Sequence, residues 1–147
     1  MNTPIFALIL VAVAGCAIAL QTPINAALGR TIGSGLAAAT ISFGVGFLVL
    51  LAVLTTSGEI ATLPRLTHAP VILLLGGVLG AFYVFSVLWA IPTLGALTTI
   101  TALMLGQLSA ALLMDAAGLF GLAVQAITPT RIAAAALVGA GVILSRF

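Results

Sequence analysis

Charge is almost absent from this chain, and the positions of the few charges decide what it can become. Arg30, Glu59, Arg65, Asp115, Arg131 and Arg146 are the charged side chains among 147 residues, with the single histidine at His68. They leave Met1–Gly29, Thr31–Gly58, Ala69–Met114 and Ile132–Ser145 uninterrupted. A helix needs about 20 apolar residues to cross a hydrocarbon core roughly 30 Å thick. The first two stretches therefore hold one span each. The third is long enough for two, folded back across Ala90–Gly95, where Pro92 and Gly95 punctuate. The last holds one, with Thr128 as N-cap and Pro129 as the first helical residue. Five spans are expected, over about 4–27, 35–56, 70–90, 94–114 and 129–145. Each must be helical, because lipid leaves no backbone group a partner outside its own segment.

Composition excludes the soluble alternatives. The chain is 63% hydrophobic and 4% charged, where a soluble domain carries about 25% charge. Four arginines without a lysine cannot form a patch that tracks phosphates, so nucleic acid is no partner. Cys16 alone cannot build a disulfide scaffold. One histidine and one cysteine supply no metal spacing, and no nucleophile–base pair stands out, so neither a cofactor nor an enzyme is expected. Val13-Ala14-Gly15-Cys16 imitates a lipoprotein cleavage box, but Met1–Pro4 lacks the positive flank a signal peptide wants. Gly15 and Cys16 read equally well as small residues at a helix contact.

Loops rich in Lys and Arg stay in the cytoplasm, and here that bias vanishes. With five spans, the loops holding Arg65 and Arg131 lie on one side, and Arg30 and Arg146 lie on the other. A chain so balanced is free to insert both ways. Five spans are few for a transport pathway, which commonly uses two inverted repeats around a midplane site. A chain inserted in both orientations supplies both repeats by pairing with itself. The alternative is a chain of one orientation that awaits a partner.

Polar groups at membrane depth are expensive and therefore informative. Gln21 and Asn25 lie four residues apart around Pro23, on one helical face. Pro23 gives a reason to bend or break the helix, freeing backbone groups for a substrate site. Otherwise the helix ends at Leu20 and both amides sit in a wet loop. In the third span, Phe82, Phe85 and Trp89 form one stripe, with Tyr83 and Ser86 beside it. The stripe reads as an interfacial belt or as an aromatic wall for a ligand. Gly76 and Gly80 form a small-xxx-small pair, and Gly139 and Gly141 place small residues in the last span, all suited to helix packing.

The fourth span carries Thr98, Thr99, Thr101, Gln107, Ser109 and, at its end, Asp115. Hydroxyls often bond back to the preceding turn and specify little, whereas Gln107 at mid-span needs a partner or a ligand. Asp115 becomes a coupling acid if Ala116–Ile127 re-enters the membrane. Otherwise it is a solvated helix end or the partner of Arg131.

The ordered set Gly15–Arg30, Ile41–Gly46, Gly76–Val84, Pro92–Ala96, Gly106–Leu108, Asp115–Gly121, Thr130-Arg131 and Gly139–Leu144 resembles the YdcZ-like family of the drug/metabolite transporter (DMT) superfamily. The resemblance covers nearly the whole chain. It implies one half of a ten-helix transporter with two inverted five-helix repeats, completed by a second copy or a homologous chain. It places the family's glutamine and asparagine on Gln21 and Asn25, its glycine–glutamine pair on Gly106 and Gln107, and its aspartate on Asp115. The chain lacks the first-span glutamate of small multidrug exporters, which speaks against simple proton-for-cation antiport.

These readings converge on an all-helical, multi-pass protein of the bacterial inner membrane, in contact with lipid, that moves a small solute by alternating access as a dual-topology antiparallel homodimer. Gln21, Asn25, Tyr83, Ser86, Trp89 and Gln107 are the expected pathway residues. A small ion channel, or one subunit of a heteromeric transporter, are the alternatives.

Overall fold

The computed structural model describes residues 3–147. The chain is helical, with no strand among the described residues. Four α-helices, α1 (Thr3–Ile32), α2 (Gly35–Thr56), α3 (Leu75–Ala117) and α4 (Pro129–Leu144), are joined by 3-10 turns and short extended pieces. Three segments, Pro4–Ile32, Gly35–Thr56 and Val71–Ala117, are long and apolar enough to cross a membrane. The chain divides into two compact units, Met1–Pro92 and Thr93–Phe147.

In the first unit, α1 corrects both expectations for its C-terminal half. It neither breaks at Pro23 nor ends at Leu20, and it continues to Ile32. Pro23 removes one backbone N–H, which within lipid has to be compensated inside the segment. Thr22 donates its hydroxyl to Ile18 O at 2.8 Å, a second bond across the turn that precedes the proline. The helix stops after Ile32 because Gly33 adopts φ 74, and Ser34 N–H reaches back to Gly29 O at 3.0 Å. This is a Schellman-type end, open to glycine because it has no Cβ. Ser34 then caps α2, its side chain accepting from Ala37 N at 3.1 Å. The expected 35–56 span coincides with α2.

Two residues thus connect α1 to α2, and the helices pack through small side chains. Ala26, Ala38 and Ala39 are buried at their seam together with Leu88. A Cβ on Gly29 would meet Gly35 Cα at 3.3 Å, so the last turn of α1 and the first of α2 leave little room for a side chain between them. A Cβ on Gly80 would meet the Phe43 ring at 3.7 Å, whereas nothing lies within 4 Å of a Cβ on Gly76 or Gly15. Only the second half of the Gly76/Gly80 pair therefore meets a neighbour among the described residues.

The segment after α2 forms a 3-10 turn, Glu59–His68, then another at Val71–Leu74, before α3 starts at Leu75. The expected turn over Ala90–Gly95 narrows to one residue. Pro92 stays inside the helix, and only Gly95 leaves helical geometry, at φ 76 and ψ 167. That region is essentially open to glycine alone.

In the second unit, the helix continues from Gly95 to Ala117, beyond the expected end at 114. The stretch Ala116–Ile127, for which re-entry into the membrane was one alternative, forms no helix longer than the 3-10 turn Leu119–Gly121, and residues 121–130 are exposed. Three residues in left-handed geometry, Gly118, Phe120 and Gly121, turn the chain there. α4 begins as expected, with Thr128 accepting from Arg131 N and Pro129 at the first position. Its 16 residues reach about 24 Å, short of a full hydrocarbon core. A Cβ on Gly139 would meet the Leu105 side chain at 3.7 Å, while one on Gly141 would meet nothing within 4 Å. Thr98, buried, donates to Ser145 O at 3.0 Å and accepts from Ser145 Oγ at 3.2 Å, tying the end of α4 to α3.

Candidate functional site

The uninterrupted course of α1 puts Gln21, Thr22 and Asn25 within about one turn of one another. Together with Tyr83 from α3 they form the polar wall of a cavity of about 40 Å³ in the first unit, completed by Ile18, Val87 and Leu88. No ionisable carboxylate or guanidinium lines it. Asn25 is 7% exposed, and its Nδ2 donates to Ser42 Oγ on α2 at 3.0 Å. A buried amide without a partner would cost about 1–3 kcal/mol, so Ser42 answers the polarity that Asn25 brings into the seam.

Gln21 also lines a second, wider cleft, of about 340 Å³, with Ser42, Phe43, Gly46, Phe47 and Leu50. Gln21 is exposed and makes no side-chain hydrogen bond among the described residues. It is therefore a shared wall of two cavities, one between α1 and α3 and one between α1 and α2.

The remaining expected site residues lie elsewhere. Ser86 spends its hydroxyl on Phe82 O at 2.7 Å, back along its own helix. Trp89 is 75% exposed, and Phe82 and Phe85 of the same stripe are exposed as well. Of the aromatic group only Tyr83, half-buried, contributes to the cavity. Gln107 belongs to the second unit, where it lines a separate groove of about 280 Å³ with Met104, Leu108, Ala111 and Val138.

Asp115 pairs with Arg131 at 2.6 Å, both groups being about two-thirds to three-quarters covered. Arg131 Nη2 also donates to Gln125 Oε1 at 2.9 Å, and Gln125 N–H returns to Asp115 O at 2.9 Å. The cluster closes the loop between α3 and α4. Arg131 Nη1 is sealed from solvent without a hydrogen-bond partner among the described residues. No group of His, Cys, Asp and Glu with metal-ligand spacing occurs among the described residues.

Thr22 and Ser42 were the contributors that sequence reasoning passed over. A hydroxyl beside the amide pair was a signal for the first. Ser42 carried a weaker one, as the sole hydroxyl between Thr40 and Thr55 in an otherwise apolar span.

Residues 6–144 match the model of a family described as "Putative inner membrane exporter, YdcZ". No curated protein and no solved structure matches the chain. The match spans nearly the whole sequence and joins long apolar helices to a transport family, so the chain is a multi-pass inner-membrane protein that belongs to the YdcZ family of the DMT superfamily.

Proposed function

We propose that the protein is a secondary transporter of a small solute, working by alternating access as an antiparallel homodimer of oppositely inserted copies. The observation that carries this reading is the cavity of Gln21, Thr22, Asn25 and Tyr83, built of neutral polar groups on helices whose other surfaces are apolar. Neutral amides at depth replace water around a solute without trapping it, as a charge would. Gln21, Asn25 and Tyr83 belong to the pathway, and Gln107, also an amide on an apolar helix, joins them in the working assembly. The even split of arginines supports insertion both ways, and pairing of inverted copies supplies the second repeat that such a pathway uses.

Orientation tests the homodimer. In a Cys16→Ala background, a cysteine replaces Thr67, which is exposed beside Arg65. Intact cells are then treated with a membrane-impermeant maleimide before and after permeabilisation. About half the protein labelled before lysis is the expected result for dual insertion. Complete labelling, or none, would overturn the antiparallel homodimer and turn the search to a partner chain.

A further inference from the structure

We propose that the α1 cavity recognises the N–H groups of a small solute, and that Ser42, outside the cavity lining, is the positioning residue that sets this preference. The inference rests on the reading of this cavity as the solute site, and it names the chemistry the solute must bring.

It follows from where the donors go. Thr22 gives its hydroxyl proton to Ile18 O at 2.8 Å, so what remains of its oxygen is lone pairs. Asn25 gives an N–H to Ser42 at 3.0 Å, and Ser42 belongs to the wall of the neighbouring cleft. A carboxamide is planar, with its nitrogen and oxygen on opposite arms. Holding Nδ2 toward α2 spends one of its two N–H groups there and leaves Oδ1 as a free acceptor. The two buried polar residues of the cavity, Thr22 and Asn25, thus each present an acceptor. Tyr83 adds a ring, whose face is electron-rich, and a rotatable hydroxyl that can donate or accept. Gln21 is exposed and its amide can turn either way, so it adapts to the ligand without setting the preference.

Size narrows the class further. A volume of about 40 Å³ holds roughly three water-sized groups, which suits a headgroup of a few heavy atoms. An acceptor-only ligand such as a carboxylate would meet lone pairs at Thr22 and Asn25 and no cation to balance its charge, a costly outcome in a site of low polarity.

The shared chemistry is N–H donation, and two sources offer it: a protonated amine and a neutral amide. The experiment uses the purified full-length protein in detergent and reads its unfolding midpoint against four probes at equal ionic strength. Methylammonium and acetamide carry N–H groups, whereas tetramethylammonium and acetate carry none. A donor probe should raise the midpoint by about 2 °C or more near saturation, with tetramethylammonium and acetate giving no shift. Methylammonium alone would assign the cationic source, and acetamide alone the neutral one. Ser42→Ala frees the Asn25 amide to present its NH2, so the donor probes should lose at least half their shift while acetate gains one. Ser42→Thr keeps the hydroxyl and should keep the preference. The conservative variant also shows that loss in Ser42→Ala is not a folding failure. Equal shifts from tetramethylammonium or acetate in the unaltered protein would overturn the donor preference while leaving a solute-binding cavity in place. Donor selectivity unchanged in Ser42→Ala would overturn the positioning role. No shift from any probe would overturn both the preference and the reading of the cavity as the solute site.

Discussion

Among the described residues, the Asn25–Ser42 hydrogen bond is the one side-chain link that joins α1 to α2 by polar chemistry, and its worth can be measured as a coupling. Its length is 3.0 Å, and Asn25 is 7% exposed. In a dry interior, stranding a buried amide costs about 1–3 kcal/mol. Between membrane helices, measured hydrogen bonds average about 0.6 kcal/mol and reach about 1.7. The adjoining cavity lets a water reach Asn25, which moves the value toward the lower range. Ser42→Ala should therefore cost about 1 kcal/mol. Asn25→Ala removes the same bond and some packing beside Ala26 and Leu88, for about 1.5 kcal/mol. With Asn25 already gone, Ser42→Ala has nothing left to break, so the double variant should also lie near 1.5 kcal/mol. The sum of the single changes then exceeds the double change by about 1 kcal/mol. The assay is reversible unfolding in mixed micelles of increasing SDS fraction, followed by Trp89 fluorescence. Additivity within about 0.3 kcal/mol would refute the reasoning, since two residues that share no interaction behave so.

Four further outcomes are expected, each read by the same unfolding assay. Gly95→Ala should cost about 2 kcal/mol, because φ 76 with ψ 167 is a backbone geometry that a Cβ strains. Gly76→Ala, with nothing within 4 Å of the new Cβ, should gain up to about 1 kcal/mol from helix propensity, whereas Gly29→Leu drives a side chain into Gly35 backbone and should cost about 3 kcal/mol. Asp115→Asn should cost about 0.5–1 kcal/mol, the pair with Arg131 being part-exposed and its charge screened by solvent.

The apolar spans, the Thr128 cap and the punctuation at Gly95 were legible because each is a local matter. Hydrocarbon thickness sets the spacing of charges, and the capping role of Thr128 depends on its nearest neighbours. Pro23 misled for a related reason. Its missing N–H is a local fact, but its consequence depends on solvent. In water the freed carbonyl would be hydrated and the helix would have little reason to continue. In an apolar seam, with Ala26 buried against Ala38 and Ala39, continuation is favoured. Ser42 and the Thr98–Ser145 link were illegible because they pair residues 17 and 47 positions apart, and no local pattern announces a partner at such range. Ser86 shared a helix face with Tyr83 on paper, yet its hydroxyl is spent on Phe82 O and only Tyr83 lines the cavity.

The hydroxyls and the amides of this chain obey different rules, and the difference locates where something other than lipid must sit. Thr31, Thr40, Thr55, Ser86, Thr99 and Ser109 all donate to the carbonyl four residues back. A hydroxyl satisfied in this way is silent, and lipid can cover it at little cost. The amides here are not absorbed in that way. Asn25 reaches across to Ser42, while Gln21 and Gln107 make no side-chain hydrogen bond among the described residues. Hydrocarbon offers an amide nothing, and each unsatisfied polar group costs several kcal/mol there. A chain that has spent so few polar residues, and disposed of nearly all its hydroxyls internally, has left these two glutamines facing clefts. Their surroundings in the working protein must therefore be polar, supplied by water, by solute or by the second copy. That requirement is independent of the family match, and the pathway proposed for Gln21 and Gln107 would meet it.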